Sequence, residues 1–183
     1  MSKYIVTTPA ATSYVPVSEL QTHLLLFGDS SYDSELQDIL LAAEEYLADF
    51  MGEYLVDTGI RVNICDFGSD AVLPHKFYTG IAVMYWDSNN SAQTLSTSDY
   101  IVDLSGEYPV LKVTTAPTDV STVLDCAGYM TYTTYMSYVP AKLNRAVLLI
   151  AAEMFNNRTE SSVKKMEKVH LTAMRLIQSL RGF

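Results

Sequence analysis

The chain of 183 residues predicts an α+β fold: a helical bundle built from N-terminal and C-terminal helix pairs with an inserted, mostly antiparallel β-sheet block. Three observations carry that expectation. Apolar residues recur at three and four through residues 33–51 and again after Pro140, the spacing of helices that bury one stripe. Between about 54 and 128 the chain changes to β-branched and aromatic runs. The links between those runs are too short for the crossover helices that parallel strands require.

The first dozen residues, "MSKYIVTTPAAT", read as the one stretch resembling a loose tail. "VSELQTHLLL", residues 17–26, reads as a short helix capped by Ser18, with Leu20, Leu24 and Leu25 on one face. Residues 33–51 form a strong helix. Asp33 or Ser34 caps it, Leu36, Ile39, Leu40, Ala43, Leu47, Phe50 and Met51 make its stripe, and Gly52 stands at the C′ position. Strands follow at "LVDTGIRVNI", "GIAVMYW", "YIVDL", "VLKVTT" and "VSTVLDCAG", separated by turn chemistry such as "DSNNS" and "SGEYP". A tyrosine-rich loop spans 129–139. C-terminal helices then occupy about 140–181, the first with Pro140 at N1 and a stripe of Leu143, Ala146, Val147, Ile150, Met154 and Phe155. The length suits a single domain that buries roughly 70% of its unfolded surface without a metal or disulfide staple.

Charge is divided sharply. Residues 1–140 hold four basic and eighteen acidic side chains, whereas 141–183 hold eight basic and three acidic, within a net charge of −9. Such a split suits two parts facing different neighbours. In the helix at 33–51, Glu35, Asp38, Glu44, Glu45 and Asp49 carry the polar face with no Lys or Arg among them. That face is either simply solvated or built to repel a polyanion. The last helix is basic through Lys164, Lys165, Lys168, Arg175 and Arg181.

Several function classes find no support. The stretch "AVLLIAAEMF" is too short to span a bilayer, so no membrane is expected. No signal peptide opens the chain, which suits a protein made in the cytoplasm. Cys65 and Cys126 read as two buried free thiols, or as a bridge between neighbouring strands. His23, His75 and His170 lie in unrelated segments without ligand spacing, so no metal or other cofactor is expected. Glu44 and Glu45 diverge by about 100° on a helix and cannot face one substrate together. No nucleophile, phosphate-cradling or metalloprotease motif occurs, and no enzyme activity is expected.

The order of segments resembles the head–tail connector (adaptor) proteins of tailed bacteriophages, the family that forms a ring beneath the portal. The matching positions are Ser18, Glu19, His23 and Leu24; Leu40, Ala43, Tyr46, Leu47, Met51 and Gly52; Tyr100 and Asp103; and Ala127, Gly128, Tyr129, Val139, Pro140, Leu143, Ala146, Leu148, Asn157 and Arg158. The resemblance runs over nearly the whole chain after residue 16. Met51-Gly52 departs from the commoner Thr-Gly, and the tyrosine loop is peculiar to this chain.

The resemblance implies a structural role in the virion neck, after assembly in the host cytoplasm. It implies a homo-oligomeric ring of twelve subunits, docked on the portal protein and on a stopper or tail protein. Genomic DNA would pass through the bore without specific binding. The acidic helix is then a candidate bore lining, and the basic last helix a candidate portal contact. A tail-completion or stopper protein of the same neck is a near alternative. A nucleic-acid-binding module using the basic C-terminal helix is an alternative of another class. Tyr129, Tyr132, Tyr135 and Tyr138 recur at three. In an extended or polyproline-like stretch they form a contact ladder for a neighbouring subunit or partner, unless the loop packs on its own protein or stacks bases.

Overall fold

A computed structural model of the chain describes residues 4–26 and 29–157. They form an α+β fold with three α-helices and antiparallel sheets, divided into two compact units. The β unit takes residues 4–9 and 57–135, and the helical unit takes 10–56 and 136–157.

The β unit holds eight strands: β1 (Tyr4–Thr8), β2 (Thr58–Ile64), β3 (Ala71–Val72), β4 (Thr79–Trp86), β5 (Ala92–Thr94), β6 (Tyr100–Asp103), β7 (Val110–Val113) and β8 (Gly128–Thr134). Five make one sheet in the order β1-β2-β8-β4-β5, and three make another in the order β3-β7-β6. Every pairing is antiparallel. Alternation sets the inner side. Thr58, Ile60, Val62 and Ile64 are buried along β2, and Gly128, Met130, Tyr132 and Thr134 along β8. The register places Ile60 beside Tyr132 and both Val62 and Val83 beside Met130, so one face of the larger sheet is continuous and apolar. Leu111 and Tyr100 supply buried side chains from the smaller sheet, and the Tyr100 hydroxyl donates to the Ile81 carbonyl at 3.3 Å.

Four sequence expectations change here. The supposed tail supplies β1, because "YIVTT" has strand composition and finds the free edge of β2. "VSTVLDCAG" contributes no strand before Gly128: both sides of β4 are taken, by β8 and β5, leaving only an isolated bridge from Val120 to Asp87. The tyrosine segment enters the centre of the sheet as β8 through Thr134, and only 135–139 remains as a connection. Cys65 and Cys126 are joined as a disulfide, which corrects the expectation of buried free thiols. Cys65 is exposed. The pairing of Ile64 with Gly128 brings both cysteines to the same end of the β2–β8 ladder.

In the helical unit, α1 (Val17–His23), α2 (Asp33–Met51) and α3 (Ala141–Asn156) close around Leu20, Leu36, Leu40, Ala43, Leu47, Leu143, Ala146, Val147 and Ile150. The stripes on α2 and α3 are those the periodicity predicts. The caps differ in detail. Pro16 precedes α1 with no side-chain cap, so Ser18 lies inside the helix. A single 3-10 turn (Ser30–Tyr32), capped by Asp29, leads directly into α2, so neither Asp33 nor Ser34 caps it. Pro140 sits at the N-cap of α3, one residue before the position expected. Leu25 adopts a left-handed φ of 61° and faces solvent, off the stripe assigned to it. Gly52 closes α2 as expected: its φ is 77°, and its amide donates to the Ala48 carbonyl at 2.7 Å.

Candidate functional site

Four of the five candidate acidic residues share one exposed face of α2. Glu35, Asp38, Glu45 and Asp49 follow each other at spacings that alternate near three and seven, with exposed Ala42 between them. No cation of the helix interrupts them.

Glu44 leaves that set. It is only 4% exposed, and its Oε1 accepts from the amides of Tyr14 at 2.9 Å and Val15 at 3.2 Å. Its Oε2 is buried without a hydrogen bond among the described residues. Burial pushes its pKa up to about 7, against the opposing pull of the two amides. Glu44 therefore pins the segment before α1 to α2, and the expectation that it lines an open acidic face is corrected. The sequence held a signal for this. Position 44 lies four residues after Leu40 and three before Leu47, within reach of the buried stripe.

The four tyrosines do not form one ladder. A strand repeats at two, so Tyr129 and Tyr132 point to opposite faces of the sheet. Tyr132 is buried, with its hydroxyl 2.8 Å from His75 Nδ1 and its ring tilted against the imidazole at 6.0 Å. Tyr4 packs edge-on against the same imidazole, and Tyr78 against Tyr132. Burial holds His75 down to a pKa of about 4, so it stays neutral within this cluster. Tyr129 lies on the other face, where the Arg61 guanidinium stacks 3.9 Å from its ring centroid. Tyr135 is half-buried past the end of the strand, and Tyr138 is 76% exposed. Of the four, Tyr138 is the most exposed among the described residues.

Tyr132→Phe keeps the ring stacking and removes the hydroxyl beside His75, so it is expected to destabilise the chain by about 1–2 kcal/mol. Tyr138→Ser is expected to leave stability unchanged. Urea unfolding of the two variants checks both.

Lys164, Lys165, Lys168, Arg175 and Arg181 lie outside the described residues, as does His170. His23 Nδ1 sits 3.3 Å from Arg145 Nη1 on α3. Among the described residues, no three His, Cys, Asp or Glu side chains are placed to hold a metal, and no helix is long and apolar enough to cross a membrane. The "DSNNSAQ" turn is tied down from within. Asp87 Oδ1 accepts from the amides of Asn89 and Ser91, and Oδ2 accepts from Gln93 Nε2. Asn90 takes the left-handed φ of 58° that the turn requires.

No protein-family model matches the chain, and no curated protein matches it in sequence. Solved structures do share its fold. A chain in the virion of a native gene transfer agent particle matches with a TM-score of 0.69 at 20% identity, covering 87% of each chain. A chain in the neck of an empty gene transfer agent particle, computed with C6 symmetry, matches with a TM-score of 0.66 at 20% identity, covering 88% of this chain and 87% of that one. A chain in the neck of the native particle, computed with C12 symmetry, matches with a TM-score of 0.62 at 18% identity, covering 89% and 87%. At such identity the likeness establishes the fold.

Proposed function

We propose that the chain is a structural subunit of the neck of a phage-like particle, a head–tail connector of the adaptor type. Twelve copies form a ring that joins the portal to the stopper or tail and lets DNA pass. The observation that carries this reading is the likeness in fold, over 87% of both chains, to a chain of a gene transfer agent virion, with further likenesses in that particle's neck. The order of segments from Ser18 to Arg158 supports the same family.

The acidic face of α2 fits the task. Each Lys or Arg that contacts a phosphate releases counterions and adds affinity, which would retard a moving duplex. Glu35, Asp38, Glu45 and Asp49 offer carboxylates instead, so the bore repels phosphate and the DNA stays mobile. Replacing all four with Lys is expected to convert a DNA-indifferent protein into one retained on DNA at low salt and released as salt rises. A quadruple variant that still ignores DNA in the assembled ring removes α2 from the bore.

The basic residues Lys164, Lys165, Lys168, Arg175 and Arg181 are assigned to an acidic partner, the portal. A chain lacking residues 160–183 is expected to lose co-elution with the portal protein in size-exclusion chromatography, while the full chain keeps it. Undiminished co-elution of the shortened chain would move the portal contact elsewhere. Tyr138 is assigned to a neighbouring subunit or partner, where its ring adds area at little entropic cost.

A further inference from the structure

Among the described residues, the two sheets of the β unit have four open edges: β1 and β5 on the larger sheet, β3 and β6 on the smaller. An open edge presents unpaired amides and carbonyls to any strand that approaches. Two of the four are poor templates. β3 has two residues, and β5 has three small or polar ones with Gln93 turned onto Asp87. The other two share a pattern. β1 begins Tyr4-Ile5-Val6 and β6 begins Tyr100-Ile101-Val102. In each, the tyrosine turns inward, Tyr4 against His75 and Tyr100 into the core. In each, the isoleucine turns outward, Ile5 at 51% exposure and Ile101 at 53%. Neither strand carries a charge before Asp103. The register shift in β1 lies after Val6, so Tyr4–Val6 remains a straight edge.

We propose that β1 of one copy adds to β6 of the next, with Ile5 opposite Ile101, so that strand pairing links successive subunits. This rests on the ring reading, because a contact between two different edges is head-to-tail and closes only as a ring. The ring reading sets identical chains side by side, which makes a second copy the occupant, and charge permits it at this edge. The described residues carry nineteen acidic and five basic side chains, so copies repel over most of their surface. Around β6 that repulsion is reduced, although Asp99 at its start has no described cation beside it. Lys112 pairs with Asp103 at 2.8 Å, and Lys76 pairs with Glu107 at 3.2 Å. Both ion pairs lie on or beside the smaller sheet. An acidic neighbour can therefore approach this edge.

The test uses the full chain, alone and with portal protein, and reads assembly by native mass spectrometry and amide hydrogen exchange. Ile5→Lys and Ile101→Glu singly are each expected to weaken assembly at least about tenfold, because each buries an unpaired charge in the contact. The double variant, which sets the introduced lysine of one copy against the introduced glutamate of the next, is expected to recover it. Val123→Lys, a change at an 80% exposed apolar residue outside both strands, is expected to assemble normally. Amides of 4–8 and 100–103 are expected to slow together on assembly. Rings formed equally well by both single variants would overturn the strand contact and leave the ring reading standing. A wild-type chain that stays monomeric with the portal would overturn both. Protection of 4–8 in a single copy bound to the portal would assign the edge to the portal and overturn contact between copies.

Discussion

Glu44→Gln is expected to stabilise the chain at pH 8 by about 2 kcal/mol and to remove the carboxyl's own share of the pH dependence of stability. The carboxyl has a folded pKa near 7, raised from an ordinary 4.5 by burial. The folded state therefore holds this proton more tightly than the unfolded state. Below pH 4.5 both states are protonated and the group adds no slope. Between 4.5 and 7 stability falls as pH rises, because the unfolded chain ionises freely while the folded chain must keep a proton or bury a charge. Above 7 the loss is complete. Glutamine retains an oxygen to accept from the Tyr14 and Val15 amides and carries no charge, but its amide leaves donors in a buried site, which limits the gain. Urea unfolding followed by circular dichroism at pH 5 and pH 8 measures the difference. A glutamine variant less stable than wild type at pH 8 would mean that the two amide bonds outweigh desolvation.

The same titration reveals His75 with the opposite sign. Its folded pKa is depressed to about 4 by burial, so its contribution is complete above the unfolded value near 6.5 and is lost as pH falls toward 4. In wild type the two slopes oppose each other across the acid range. In Glu44→Gln only the histidine slope remains, so the variant is expected to lose stability on acidification more steeply than wild type.

Gly128→Ala is expected to destabilise the β unit by about 2–3 kcal/mol. Gly128 lies on the inner face of β8, between Ile64 on β2 and Tyr85 on β4. The Phe67 ring covers it so closely that an added methyl group would overlap the ring, with both Cε atoms at 3.0 Å. Phe67 is also packed edge-on against Tyr85, so it cannot swing away without losing that contact. A glycine inside a strand is ordinarily unfavourable, and here the overlying ring supplies the missing packing. Phe67→Leu combined with Gly128→Ala is expected to recover part of the loss, a coupling read by a double-mutant cycle. Purely additive losses would mean that the ring and the glycine do not constrain each other.

Periodic features were legible in the sequence because they are local. The stripes of α2 and α3, the Gly52 cap and strands β2, β4, β6 and β7 follow from spacings within one segment. The features that depend on distant partners were not. Tyr129 to Tyr138 invites a period of three, yet the neighbours that β8 finds in β2 and β4 impose a period of two, and that separates Tyr129 from Tyr132. β1 becomes a strand only because β2, far along the chain, offers an edge. The disulfide likewise depends on the register of β2 with β8. Of the candidate site, the face of Glu35, Asp38, Glu45 and Asp49 could be read from helical spacing. The burial of Glu44 was signalled by its spacing to Leu40 and Leu47, but its partners were not, since they are amides in a separate, earlier segment of the chain.

The central claim is an adaptor ring on a portal, and counting subunits tests it most directly. Native mass spectrometry of the purified chain, alone and mixed with the portal protein of its particle, is predicted to give a species of twelve subunits, free or portal-bound. A chain that stays monomeric and ignores the portal would contradict the account.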